Sequence, residues 1–176
     1  ADASKKAAEE RWEALRALAE HEIDDFLTGR TASRGTLAAR LGRFGLRPDR
    51  PLALAVVEGT HLERTVREAL STIPALVAEH HGHVCILHHA EDPVGPLLQR
   101  ELSGAGVQAR IGTASATGGP DRAGAAHRSA ELAVASLRLL GGMLLDGAEL
   151  GSLGVLLEAE EAGRAPRPVT EPALPL

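Results

Sequence analysis

Apolar positions near the start of the chain recur at spacings of three and four. Trp12, Leu15, Ala19, Ile23 and Phe26 make one stripe of a helix over 9–28, and Gly29 is its natural stop. The same spacing suits a short coiled coil, so the helix packs either on its own domain or against a second copy. Ser33 can cap a short second helix over 33–41, with Leu37 and Leu41 on one face. After Gly42, Gly45 and Pro48 the pattern changes. LALAVVE (52–58) is short and continuously apolar, as a strand buried on both faces must be. A helix follows over 61–72, ended by Pro74. ALVA and VCIL flank Glu79-His80-His81-Gly82-His83 and predict a β-hairpin, with Gly82 supplying the turn. Next come a helix to about Leu102, a strand over 107–116 and a glycine loop at 118–120. A long Ala- and Leu-rich helix over 121–140, a short strand over 143–145 and a closing helix over 150–162 complete the pattern.

A hairpin in the middle of this order forces an antiparallel pair, which rules out a plain doubly wound parallel sheet. The economical architecture is an α+β sandwich: a mixed, mostly antiparallel sheet of about five strands with flanking helices. Three segments follow. Residues 1–30 form a linker or dimerisation helix, 31–163 the folded domain, and 164–176 a Pro-rich linker or tail.

Composition narrows the function. The chain has 176 residues, 24 acidic and 19 basic, for a net charge of −5. That balance argues against a free-standing nucleic-acid binder. Aromatics are only 2% of residues, which leaves no stacking platform for bases or sugars. The single cysteine excludes an internal disulfide, a Cys-rich zinc site and a redox pair. No apolar run is long enough to span a membrane and no signal peptide opens the chain, so a cytoplasmic protein without membrane partners is expected.

Several stretches point to a family. FLTGR…LAARLGRFGL followed by RPLALAVV, then RIGTASATGGPDRAGAAHRSAELAVASL (110–137), then MLLDGAELGSLGVLL (143–157), resemble in order and spacing the GGDEF-like regulatory domain of PucR/CdaR-type bacterial transcriptional regulators. The resemblance implies a nucleotide-cyclase-like fold that normally precedes a helix-turn-helix domain. DNA would be reached only through that domain, which is expected to be missing from this chain. It also implies a comparison with diguanylate cyclases, whose hairpin turn holds Gly-Gly-Asp/Glu-Glu-Phe and binds a divalent metal through its acids. Here the turn reads Glu79-His80-His81-Gly82-His83-Val84. One glycine remains and the acidic pair is gone. Only Glu58, at the end of the first strand, could serve as a metal carboxylate. A non-catalytic domain without a cofactor is expected.

Other chemistry is thinly represented. Cys85 sits inside an apolar strand and reads as core packing. Ser115 lacks the glycine frame of a nucleophile elbow. Neither GxGxxG nor GxxxxGK[ST] occurs. The loop at 118–121 could offer backbone N–H groups to an anion, but Asp121 would repel it and ordinarily acts as a helix cap. Five histidines crowd positions 80–89. A solvated turn is their plainest reading. A zinc or nickel site using His83 and His89, or a pH-responsive patch, are the alternatives. Two functional surfaces are expected. Trp12, Leu15, Ile23 and Phe26 would form a seam between subunits, in a homodimer, or between domains. Glu58, His81, Gly82 and His83 would line a cleft for a small-molecule or nucleotide effector.

Overall fold

The computed structural model of the chain describes residues 2–30, 34–116 and 122–151. Its centre is β1 (Leu52–Glu58), flanked by a strand on either side. Alternate residues of β1 enter two cores. Leu54 and Val56 face one layer of helices, Ala55 and Val57 the other, and all four are fully buried. A strand buried on both faces has no room for polar alternation, which is why LALAVVE is apolar throughout.

β1 pairs antiparallel with β3 (His83–His89) and with β4 (Arg110–Ser115). β2 (Ala75–His80) pairs antiparallel with β3, and β5 (Leu144–Asp146) runs parallel to β4. The order β2-β3-β1-β4-β5 gives the expected five-stranded, mixed, mostly antiparallel sheet. His80 pairs with His83 across a two-residue turn. Both turn residues have positive φ, His81 at 50° and Gly82 at 81°, the geometry that matches hairpin twist.

Helices α1 (Asp2–Leu27), α2 (Arg34–Gly42) and α5 (Ala123–Leu140) cover one face of the sheet. Helices α3 (Glu63–Ala69) and α4 (Val94–Gly104) cover the other. A 3₁₀ turn at Gly147–Leu150 follows β5. α5 lies directly on β4 because Gly112 has no side chain: a Cβ there would run into the Ala130 carbonyl and crowd Val134. The boundaries differ from expectation by a few residues. α3 is shorter, because the chain already turns after Leu70, and β4 starts only at Arg110. The loop at 118–120, the caps Ser33 and Asp121, the bulk of the helix expected over 150–162, and the tail 164–176 lie outside the described residues.

The largest departure concerns α1. Its C-terminal half is part of the core: Ala19 and Ile23 are fully buried and Phe26 is 2% exposed. Ile23 and Phe26 therefore close a seam within the chain and are not free to meet a second subunit. Arg40 of α2 fixes this half further, with Nε 2.6 Å from Glu22 and Nη2 2.7 Å from Asp25. Higher up, α1 reaches around the sheet edge to α3. Arg16 pairs with Glu63 at 3.0 Å, and the Trp12 ring lies under the guanidinium groups of Arg64 and Arg67, 5.3 and 5.2 Å away. Arg67 also donates to the Val77 carbonyl of β2. The free edge of the sheet is thus covered by a charged side chain, a standard defence against edge-to-edge pairing.

The contact between β4 and α5 is tested by Gly112→Val. Overpacking of this kind costs about 1–3 kcal/mol, so the variant is expected to lose several degrees of Tm in thermal unfolding. An unchanged Tm would mean that α5 does not lie where described.

Candidate functional site

The ends of β1 and α5 and the starts of β3 and β4 meet at one end of the sheet. Antiparallel pairing puts Val57 opposite Val84 and Glu58 opposite Arg110, which brings the last residue of β1 beside the hairpin. Glu58 is the hub. Its Oε1 accepts from Arg110 Nη1 at 2.8 Å, and its Oε2 accepts from Arg138 Nε at 2.6 Å and from Arg138 Nη2. His83 Nε2 lies 3.6 Å from the same carboxylate. The Arg138 hydrogen bonds, with Arg110 adding to them, hold the Glu58 carboxyl below its ordinary range.

A second carboxylate, Glu131 of α5, sits between two histidines. His83 Nδ1 is 3.4 Å away and His127 Nε2 is 3.5 Å away. His127 also approaches Cys85 Sγ at 3.5 Å and meets the His80 ring edge-on, with centroids 5.3 Å apart. His80 in turn stacks on His81 at 4.0 Å. Burial pushes His80 and His127 down, so both are neutral at pH 7. Burial, with Glu131 nearby, pushes the Cys85 thiol up to about 12. A thiol that does not ionise is a packing group, as its place in an apolar strand predicts.

The expected cleft residues are only partly assembled. Glu58 and His83 face each other, while His81 and Gly82 are exposed in the turn. His81 contacts His80, and its part in a cleft with Glu58 is not seen in any contact. The expected metal pair is not formed. His83 and His89 share a face of β3, but they occupy its two ends. Cross-strand register sets His80 opposite His83 and leaves His89 beyond the end of β2. His89 Nε2 accepts instead from the Arg47 backbone N–H at 3.0 Å. Among the described residues no three His, Cys, Asp or Glu side chains converge as a metal site. Of the expected seam, Ile23 and Phe26 are core, Trp12 is half-buried against arginines of its own chain, and Leu15 is 46% exposed.

Arg110, Arg138, His127 and Glu131 were missed in the sequence. A signal existed for three of them. His127, Glu131 and Arg138 stand at i, i+4 and i+11 on an otherwise apolar helix, one polar stripe. Their partners on β1 and β3 are set by topology and leave no local trace.

A mixed sheet flanked by helices on both faces, with a tight hairpin beside the end of its central strand, defines an α+β domain of the cyclase-like kind. A family model of the GGDEF-like domain matches residues 28–136, more than half of the chain, and the chain belongs to that family. None of the curated proteins compared matches it.

The titration behaviour follows with a definite sign. His80 and His127 have folded pKa values below the 6.5 of an unperturbed imidazole. Their contribution is complete above pH 6.5 and is lost as pH falls below it, because the unfolded chain then binds protons that the folded chain refuses. The urea midpoint is expected to drop between pH 7.5 and pH 5.5, and to drop less in His127→Gln. Equal slopes in the two proteins would show that His127 titrates normally. The lowered Glu58 adds a second loss that begins only below its ordinary value of 4.5.

Proposed function

We propose that this chain is the non-catalytic regulatory domain of a PucR/CdaR-type transcriptional regulator, acting as a relay that pairs with a second copy. Its DNA reader, a helix-turn-helix domain, would lie outside this chain. The state of Glu58 carries the reading. It is the one carboxylate at the end of β1 beside the hairpin, and two guanidinium groups already neutralise it. The turn next to it offers His81 and Gly82 where a cyclase holds an acidic pair. Metal-assisted phosphoryl transfer needs uncompensated carboxylates at that place. Membership of the GGDEF-like family supports the regulatory context.

Pairing is assigned to the outward face of α1. Leu15 is an exposed large apolar residue one turn from the half-exposed Trp12, while the helix below it is locked to the sheet. Such an arrangement presents an interface anchor on a rigid support. The residues remaining to α1 for this purpose are Trp12 and Leu15.

Two measurements test the reading. Pyrophosphate release from GTP or ATP with Mg²⁺ or Mn²⁺ is expected to stay at background. Clear turnover would make the chain a divergent cyclase. A nucleotide that raises Tm without turnover would instead favour an effector sensor at Glu58, His81, Gly82 and His83. Sedimentation should show a concentration-dependent dimer that Leu15→Arg converts to monomer at unchanged Tm. A variant that still dimerises would remove α1 from the interface.

A further inference from the structure

At the other end of the sheet, away from Glu58, lies a cavity of about 460 Å³. Its floor is a row of cross-strand neighbours. Ala53 pairs with His88 on one side and with Ser115 on the other, so the three share one face. The first turn of α4 forms a wall, and β5 with the following 3₁₀ turn closes the far side. The space exists because the central floor position is an alanine and α4 stops short at Pro93.

His88 is the unusual group. It is only 4% exposed and lines the cavity. Its Nδ1 lies 2.8 Å from the His89 carbonyl oxygen. A carbonyl can only accept, so Nδ1 carries the proton and Nε2 is a bare acceptor. That Nε2 is buried and has no hydrogen-bond partner among the described residues. Orphaned buried acceptors are rare and costly to keep. Burial holds the ring neutral, which preserves the acceptor at pH 7.

The charges around the cavity have one sign. Asp92 stands beside the His88 end, Asp146 and Glu149 at the β5 end, and no lysine or arginine is among the described lining residues. Asp146 accepts from Thr113 Oγ1 at 2.7 Å and from the Ala148 backbone N–H at 2.8 Å. Both donors are neutral, so the carboxylate charge is uncompensated. From β3 to β5 the floor crosses three strand spacings, roughly 14 Å. The slot therefore has acid at each end and a buried acceptor near one of them.

We propose that this cavity binds a small extended organic dication with N–H donors, of the guanidinoalkylamine or diamine class. The guanidinium or ammonium end nearest β3 donates to His88 Nε2 and pairs with Asp92. The other end pairs with Asp146 and Glu149. An anion of the same length would meet three carboxylates and no cation. This site is separate from the Glu58 end, and its existence does not depend on the relay reading.

Agmatine is the probe, titrated into the full chain and followed by ¹H–¹⁵N correlation spectra. Saturable shifts are expected at Ala53, Gly95 and Thr113, with succinate giving none at those amides. His88→Leu should keep or raise Tm, because it removes an unpaired acceptor, and should weaken agmatine about tenfold or more. Glu149→Gln changes an exposed position, cannot unfold the protein, and should weaken binding about threefold. Three outcomes would overturn the proposal: no saturable shift up to 10 mM agmatine, unchanged affinity in both variants, or succinate binding at the same amides. None of them bears on nucleotide turnover or on dimerisation through Leu15.

Discussion

The burial of β1 on both faces is the constraint from which the rest of the architecture follows. A strand with Leu54 and Val56 on one side and Ala55 and Val57 on the other needs two layers of helices and two neighbouring strands. Each additional requirement is met by a different part of the chain. β3 and β4 take its hydrogen bonds. α5 presses onto β4 over Gly112, at backbone distance. α1, α2 and α5 close one face, and α3 with α4 close the other. Because α1 supplies Ala19, Ile23 and Phe26 to the first core, it is as much a structural member as any strand. Burying side chains of this size is worth about 1.5–3 kcal/mol each for the larger ones, too much to leave in a detachable linker.

The two ends of the sheet are opposite in electrostatic character. At the Glu58 end every carboxylate is answered: Glu58 by two arginines, Glu131 by two histidines. Such a network fixes geometry and leaves little affinity for a further cation. At the other end Asp146 has only neutral donors, and a buried histidine acceptor has no partner. The hairpin end resembles a cyclase centre in position and has lost the charge pattern for that chemistry. The opposite end has no such ancestry in its position, yet it holds the unbalanced groups. Position within a fold and readiness for binding are separate properties, and here they have come apart.

Much of the fold was legible. The continuous run 52–58 announced a two-sided strand. The runs around His81-Gly82 announced a hairpin, and the glycines punctuated the helices within a few residues. What periodicity could not give is the identity of the surface against which a stripe packs. Trp12, Leu15, Ile23 and Phe26 share a face, but the sheet covers only the last two. Strand parity placed His83 and His89 on one face of β3 correctly and still misled, because a metal pair also needs proximity along the strand. Glu58 finds its partners 52 and 80 residues away, and only the topology brings them in. The cavity was invisible for a further reason. Alanine, threonine and serine on three different strands mark an empty volume only once the strands are placed side by side.

The ties on α1 limit how it can move. Its lower half is held by the core and by Arg40, and its upper half by Arg16–Glu63 and the Trp12 stack on α3. These contacts lie on both sides of β2, whose carbonyl Val77 is held by Arg67 of the same α3. Rotation of α1 about its own axis would have to break the Arg40 and Arg16 ion pairs together, or carry α3 and the edge strand with it. The first course leaves Glu22, which is 5% exposed, as an unpaired buried charge, and that is strongly unfavourable. The second moves the strand that ends in the hairpin turn. A displacement imposed on the helix from outside is therefore passed toward His80 and His81 more readily than it is absorbed. The physical basis for a relay lies in this coupling of helix, edge strand and turn, whatever the identity of the partner on Leu15.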